Sequence, residues 1–68
     1  MTTPDPGDLS TRLKKLNSKA TRLKLDLHDL AEDLPIGWER ILEVATETYQ
    51  TYVEIARLAA ELAREEAA

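Results

Sequence analysis

The chain has one histidine, His28, within the run KLDLHDLAEDLP (residues 24–35), among Asp26, Asp29, Glu32 and Asp33. An imidazole close to carboxylates can ligate a divalent transition metal such as nickel or zinc. A histidine four residues before a glutamate puts both side chains on one face of a helix. His28 and Glu32 are therefore the candidate metal ligands. Asp26 projects along a different edge and associates better with Asp29 and Asp33, so the spacing does not bring all five groups to one point. Two ligands from one helix leave a coordination shell short of the three or four that zinc, nickel or copper takes. A symmetric oligomer that brings two His28 turns together could supply the others. The same stretch also fits a partner-docking patch of Leu25, Asp26, Asp29 and Trp38. It equally fits a solvated acidic helix end that happens to include a histidine, the commonest origin of such clusters. The pattern requires no cofactor.

Other chemistry lacks its residues. There is no cysteine, hence no thiolate ligand or disulfide, and a single histidine offers no partner with which to assemble a nucleophile and base. Gly7 and Gly37 are the only glycines, too few and too far apart for a phosphate-cradling loop. The chain is read as non-catalytic. Six cations, Arg12, Lys14, Lys15, Lys19, Arg22 and Lys24, fall between Leu9 and Lys24 with no acid among them. An RNA-binding regulator is the distant alternative that such a run raises. The net charge of -4 and the absence of any aromatic side chain in the basic segment to stack on bases argue for no nucleic-acid partner.

These residues must be positioned by helices. Leu9, Leu13, Leu16, Ala20, Leu23, Leu27, Leu30 and Leu34 recur at alternating spacings of four and three, a heptad seam. Residues 1–7, rich in Thr, Pro and Gly, are expected to form a flexible tail. The helix cap is either Asp5, with Pro6 at the first helical position, or Asp8. Pro35 disfavours helical geometry at Leu34, so LPIG must break the chain. A second seam follows: Trp38, Ile41, Ala45, Thr48, Tyr52, Ile55, Ala59 and Leu62. The expectation is an all-α, coiled-coil-like antiparallel hairpin over residues 8–68, with helix 1 at about 8–34, a turn at 35–37 and helix 2 at about 38–64. Folded about Ile36, the seams place Ala20 opposite Tyr52, Leu27 opposite Ala45 and Leu13 opposite Ala59. The basic half of helix 1 then lies beside the carboxylates of Glu54, Glu61, Glu65 and Glu66.

Helix 2 is apolar beyond that seam. Leu42, Tyr49, Ala56 and Ala63 recur every seven residues on one flank, with Val44 and Leu58 on the other. One hairpin cannot cover so wide a face, and a core drawn from 68 residues is marginal. A homo-oligomer is expected, a dimer of four-helix-bundle type or larger, with Leu42, Tyr49, Tyr52, Ala56 and Ala63 in its interface. No segment approaches the roughly 20 apolar residues of a membrane span, and the N-terminus has no signal-like run. A cytoplasmic protein without membrane contact is the expectation.

With the helices placed, KLNSKATRLKLDLHDLAEDLPIGWERILEVATETYQTYVE can be read as a unit. It resembles the small Rop-like helical proteins encoded among nitrogenase genes in nitrogen-fixing bacteria, a family of uncharacterised function sometimes labelled metalloprotein. The resemblance spans about residues 12–55 and rests chiefly on LDLHDLAEDLP, the GW that follows, and the Tyr-containing amphipathic helix. Leu25 and Ile36 stand where Met and Thr are common in that family, and Ile36 removes a hydroxyl that could cap helix 2. The resemblance implies an oligomerising hairpin with a role near nitrogen fixation, with nitrogenase or its maturation proteins as partners. It implies no reaction.

Overall fold

The computed structural model describes residues 8–67. Helix α1 runs Leu9–Asp33 and helix α2 runs Ile41–Ala67, with a short 3₁₀ turn at Trp38–Arg40 between them. Asp8 caps α1: its carboxylate accepts from the Ser10 amide at 3.1 Å and from the Thr11 hydroxyl at 3.4 Å. This satisfies donors that the first turn would otherwise leave unpaired. The tail expected over residues 1–7, and with it the Asp5–Pro6 cap, lies outside the described residues.

The break falls where LPIG predicts. α1 ends at Asp33, whose carbonyl accepts from the Ile36 amide at 2.9 Å, and Leu34–Pro35 is a cis peptide. Gly37 then adopts φ 79°, and its carbonyl accepts from the Arg40 amide at 2.9 Å, which starts the second helix without a side-chain cap. A Cβ on Gly37 would sit 3.2 Å from Cδ1 of Leu30, a buried core side chain with little room to yield. Gly37→Ala therefore combines left-handed strain with a tight contact. We expect a loss of about 1–2 kcal/mol in urea-unfolding stability, with helicity retained.

Two ion pairs show the antiparallel register. Arg12 meets Glu54 at 3.6 Å and Lys19 meets Glu47 at 3.7 Å, so a step of seven residues up α1 matches a step of seven down α2. The opposite charges of the two halves do face each other as expected, although only in part. Glu54 is engaged, and it also pairs with Arg57 on its own helix, whereas Glu65 and Glu66 are exposed. Lys14, Lys15, Arg22 and Lys24 form no ion pair among the described residues. These contacts are partly solvated and contribute little to stability. Apolar burial must supply most of it.

In α1 the heptad seam is the observed core. Leu9, Ala20, Leu23 and Leu30 are buried, and Leu13, Leu16 and Leu27 are half-buried. Leu34, beyond the last helical residue, is exposed.

In α2 the seam is rotated from the expected one. Val44, Thr51 and Leu58 are buried and Thr48, Ile55 and Leu62 half-buried, while Trp38, Ile41, Tyr52 and Ala59 are exposed. The pairings of Ala20 with Tyr52, Leu27 with Ala45 and Leu13 with Ala59 are corrected first by register: the ion pairs put residue 46 level with Ala20 and residue 53 level with Leu13, about six residues from the register of a fold about Ile36. Two physical causes combine in the rotation. Val44 and Leu58 bury more apolar area than their neighbours Ala45 and Ala59, and an exposed Tyr52 keeps its hydroxyl in water. Trp38–Arg40 also wind at about 120° per residue instead of about 100°, which moves the phase of whatever precedes α2. Thr51 tolerates burial because its hydroxyl donates to the Glu47 carbonyl at 2.8 Å. No helix among the described residues is long and apolar enough to cross a membrane.

Candidate functional site

His28 lies in the last two turns of α1, exposed to solvent as are Asp29 and Glu32. Its Nε2 is 3.8 Å from a Glu32 carboxylate oxygen, the contact expected from their i, i+4 spacing. Its Nδ1 is 3.7 Å from Asp29 Oδ1. One ligand atom from each of the three residues can be chosen so that all lie within 4.8 Å of one another. Spacing alone set Asp29 with Asp26 and Asp33, but the structure brings it to His28. The signal was available: an imidazole has a nitrogen on each edge, so it can address one carboxylate along the helix face and another on the adjoining residue. That geometry also defines the chemistry. The two carboxylates approach opposite ring nitrogens, so a metal on one nitrogen would need the carboxylate beside the other to swing across.

Leu25, Asp26 and Asp29 line a shallow cleft of about 500 Å³ together with Lys19, Arg22 and Glu47. Trp38, 61% exposed, is not part of its lining. Sequence reasoning missed Lys19 and Arg22, which adjoin Leu25 and Asp26 along α1, and Glu47, which reaches the cleft from α2 because the two helices are antiparallel in this register.

The larger feature is the uncovered face of α2. Leu42 is 80% exposed and Tyr49 71%, while Tyr52 and Val53 are each about half exposed. Ala56 and Ala63 continue the same flank in the open. All five residues assigned to an oligomer interface thus lie outside the hairpin's own core.

A two-helix hairpin with a leucine heptad core, one acidic histidine turn and an open apolar flank is of Rop type. Residues 5–67 match the Rop-like family, and the chain belongs to it. Over 54 residues it is 68% identical to a UPF0437 protein of Frankia alni, named for its place in the nifX-nifW intergenic region. That match covers 79% of this chain and 66% of the Frankia protein, so the chain spans slightly less than two-thirds of that relative. A UPF0437 protein of a Nostoc species is 46% identical over 55 residues, covering 81% of this chain and 78% of the relative. Among solved structures, a DUF683-family protein from the cyanobacterium Cyanothece 51142 superposes with a TM-score of 0.84 at 45% identity, covering 88% of this chain and 98% of that one. An NMR structure of another protein superposes at 0.81 with 49% identity, covering 96% and 92%.

Proposed function

We propose that this protein is a non-catalytic interaction protein of nitrogen fixation, an accessory or assembly factor for nitrogenase or its maturation proteins that acts as a homo-oligomer. The observation that carries the reading is the open flank of α2, where Leu42, Tyr49, Tyr52 and Val53 leave large apolar side chains in water. Contiguous apolar surface of this kind marks interfaces. The relative named for the nifX-nifW interval supplies the setting. A catalytic role is left out because acid–base or nucleophilic chemistry would need groups beyond one histidine and exposed carboxylates. A nucleic-acid role is left out because the chain carries a net charge of -4 and its basic segment has no aromatic side chain to stack on bases, and two of the six cations, Arg12 and Lys19, face carboxylates of α2. Sequence-selective retention of RNA loops at physiological salt would overturn that exclusion.

The test is purification of an affinity-tagged chain from nitrogen-fixing cells, followed by reconstitution with the purified partner. Co-purification of a nitrogenase or maturation protein, lost in a Leu42→Glu variant that remains helical, is the expected result. A chain that recovers neither class of protein, and whose deletion leaves nitrogen-fixing growth unchanged, would refute the reading.

A second reading, a carrier of a divalent metal such as nickel or zinc, is favoured by the convergence of His28, Asp29 and Glu32. Three exposed ligands on one helix make a labile site, completed by water or a neighbouring molecule. Under this reading, nickel or zinc added to metal-free, untagged protein at pH 7.5 shifts the His28 imidazole resonances, and His28→Ala abolishes binding. Unchanged resonances at millimolar metal, or equal binding by the variant, eliminate this metal role.

A further inference from the structure

The turn end of the hairpin exposes a second apolar cluster, separate from the flank of α2. Leu34, Ile36 and Trp38 alternate along the connection between the two helices, all exposed, Ile36 at 76%. Carboxylates flank them on both sides: Asp29, Glu32 and Asp33 from the last turns of α1, and Glu39 and Glu43 from the first turns after the break, every one exposed. Arg40 is the only arginine or lysine in residues 28–43, and it lies 3.8 Å from Glu43. We infer that this tip docks a protein partner through Trp38, Ile36 and Leu34, and that the partner's surface is an apolar pocket rimmed by arginine and lysine. The inference rests on the accessory role proposed above and specifies the chemistry of the surface that role requires.

Charge identifies the partner. Residues 28–43 hold five carboxylates against one arginine, while the rest of the chain has eight carboxylates and eight cations, so the whole net charge of -4 belongs to the turn end. A basic surface is steered toward it, and a nucleic acid or an anionic bilayer is repelled. A second copy of this chain does not supply that surface. Its basic stretch exposes one large apolar side chain, Leu25, and the cleft beside Leu25 sets Asp26, Asp29 and Glu47 against Lys19 and Arg22. The apolar residues contribute the affinity that exposed charges do not. Tryptophan is among the commonest interface anchors, because one rigid ring buries a large area. The turn is also held before a partner arrives. The Ile36 amide donates to the Asp33 carbonyl and the Arg40 amide to the Gly37 carbonyl, both at 2.9 Å. Binding then needs little backbone ordering, which limits its entropy cost.

Trp38 is the only tryptophan, so a chain labelled with fluorotryptophan reports on the tip alone by fluorine NMR. The probes are purified nitrogenase and each of its maturation proteins, added in turn, with neutral phosphatidylcholine vesicles in a separate arm. Binding to one of the proteins should shift or broaden the Trp38 resonance and weaken as salt is raised. Trp38→Ala should raise the dissociation constant on the order of thirtyfold. The double reversal Glu32→Lys with Asp33→Lys, at a helix C-terminus where lysine is favourable, should raise it too, and both variants should keep wild-type sedimentation and helicity. Ile36→Ser, in the turn outside both helices, replaces Trp38→Ala should that variant lose helicity. A wild-type chain that binds none of these proteins overturns the accessory role and this inference with it. Binding that leaves the Trp38 resonance in place, that is indifferent to salt, or that either variant retains in full overturns the tip alone, as does a Trp38 shift produced by the vesicles and by none of the proteins.

Discussion

Replacing Tyr49 with glutamate is expected to dissociate the assembly and lower its helicity, raising the dimer dissociation constant on the order of a hundredfold, equivalent to about 2.7 kcal/mol. In the isolated hairpin Tyr49 is 71% exposed. A substitution at such a surface position ordinarily changes stability by no more than about 0.5 kcal/mol. Under the proposed self-association the large effect comes from the second copy. A carboxylate buried in an apolar interface loses its hydration with no partner to replace it. Helicity falls with it, because the hairpin has a thin core. Only Leu9, Ala20, Leu23, Leu30, Val44 and Leu58 are buried apolar residues among those described, and the smallest principal extent, 14 Å, is little more than one helix diameter. Sedimentation and circular dichroism across a concentration series check the result. Leu25→Glu is the control: Leu25 is 56% exposed on α1, away from that face, and its substitution should leave both readings unchanged. A Tyr49→Glu protein with wild-type sedimentation and helicity would show that this flank is not the interface.

The contrast between the two helices explains how much of the molecule was legible from sequence. α1 has a narrow apolar stripe with polar residues on both sides, so only one rotation buries its leucines, and the heptad predicts the observed core. The LPIG break and the opposition of basic and acidic halves were legible for similar reasons: proline lacks a donor, and a short connection leaves only an antiparallel neighbour. α2 is apolar around most of its circumference. Val44 and Ala45, Thr51 and Tyr52, and Leu58 and Ala59 are adjacent choices for the same seam, and periodicity does not rank them. Packing decides, through the larger volumes of Val44 and Leu58 and through the 3₁₀ winding of Trp38–Arg40. At the histidine turn, i, i+4 spacing located Glu32, but Asp29 depended on the ring's second nitrogen, which spacing rules ignore.

The rotated seam itself has a quantitative test in Leu58→Ala. Leu58 is fully buried at 0% exposure, on a position that the simple heptad reading assigned to a flank, with Ala59 in the seam. Removing a buried leucine side chain to its Cβ forfeits its transfer free energy and leaves a cavity that neighbours fill incompletely, together about 2–5 kcal/mol. At about 0.05–0.15 kcal/mol per residue, a protein of this size has a total stability of roughly 3–10 kcal/mol. Leu58→Ala should therefore remove a large part of the folding free energy and leave the chain partly unfolded at room temperature. Ala59→Gly provides the comparison: Ala59 is exposed, and the change should cost only the helix propensity difference of about 1 kcal/mol. Under the proposed self-association folding is coupled to association, so both are measured by urea unfolding at one protein concentration, where mass action contributes equally. Unfolding midpoints that fall further for Ala59→Gly than for Leu58→Ala would restore the unrotated seam, with Tyr52 and Ala59 turned toward α1.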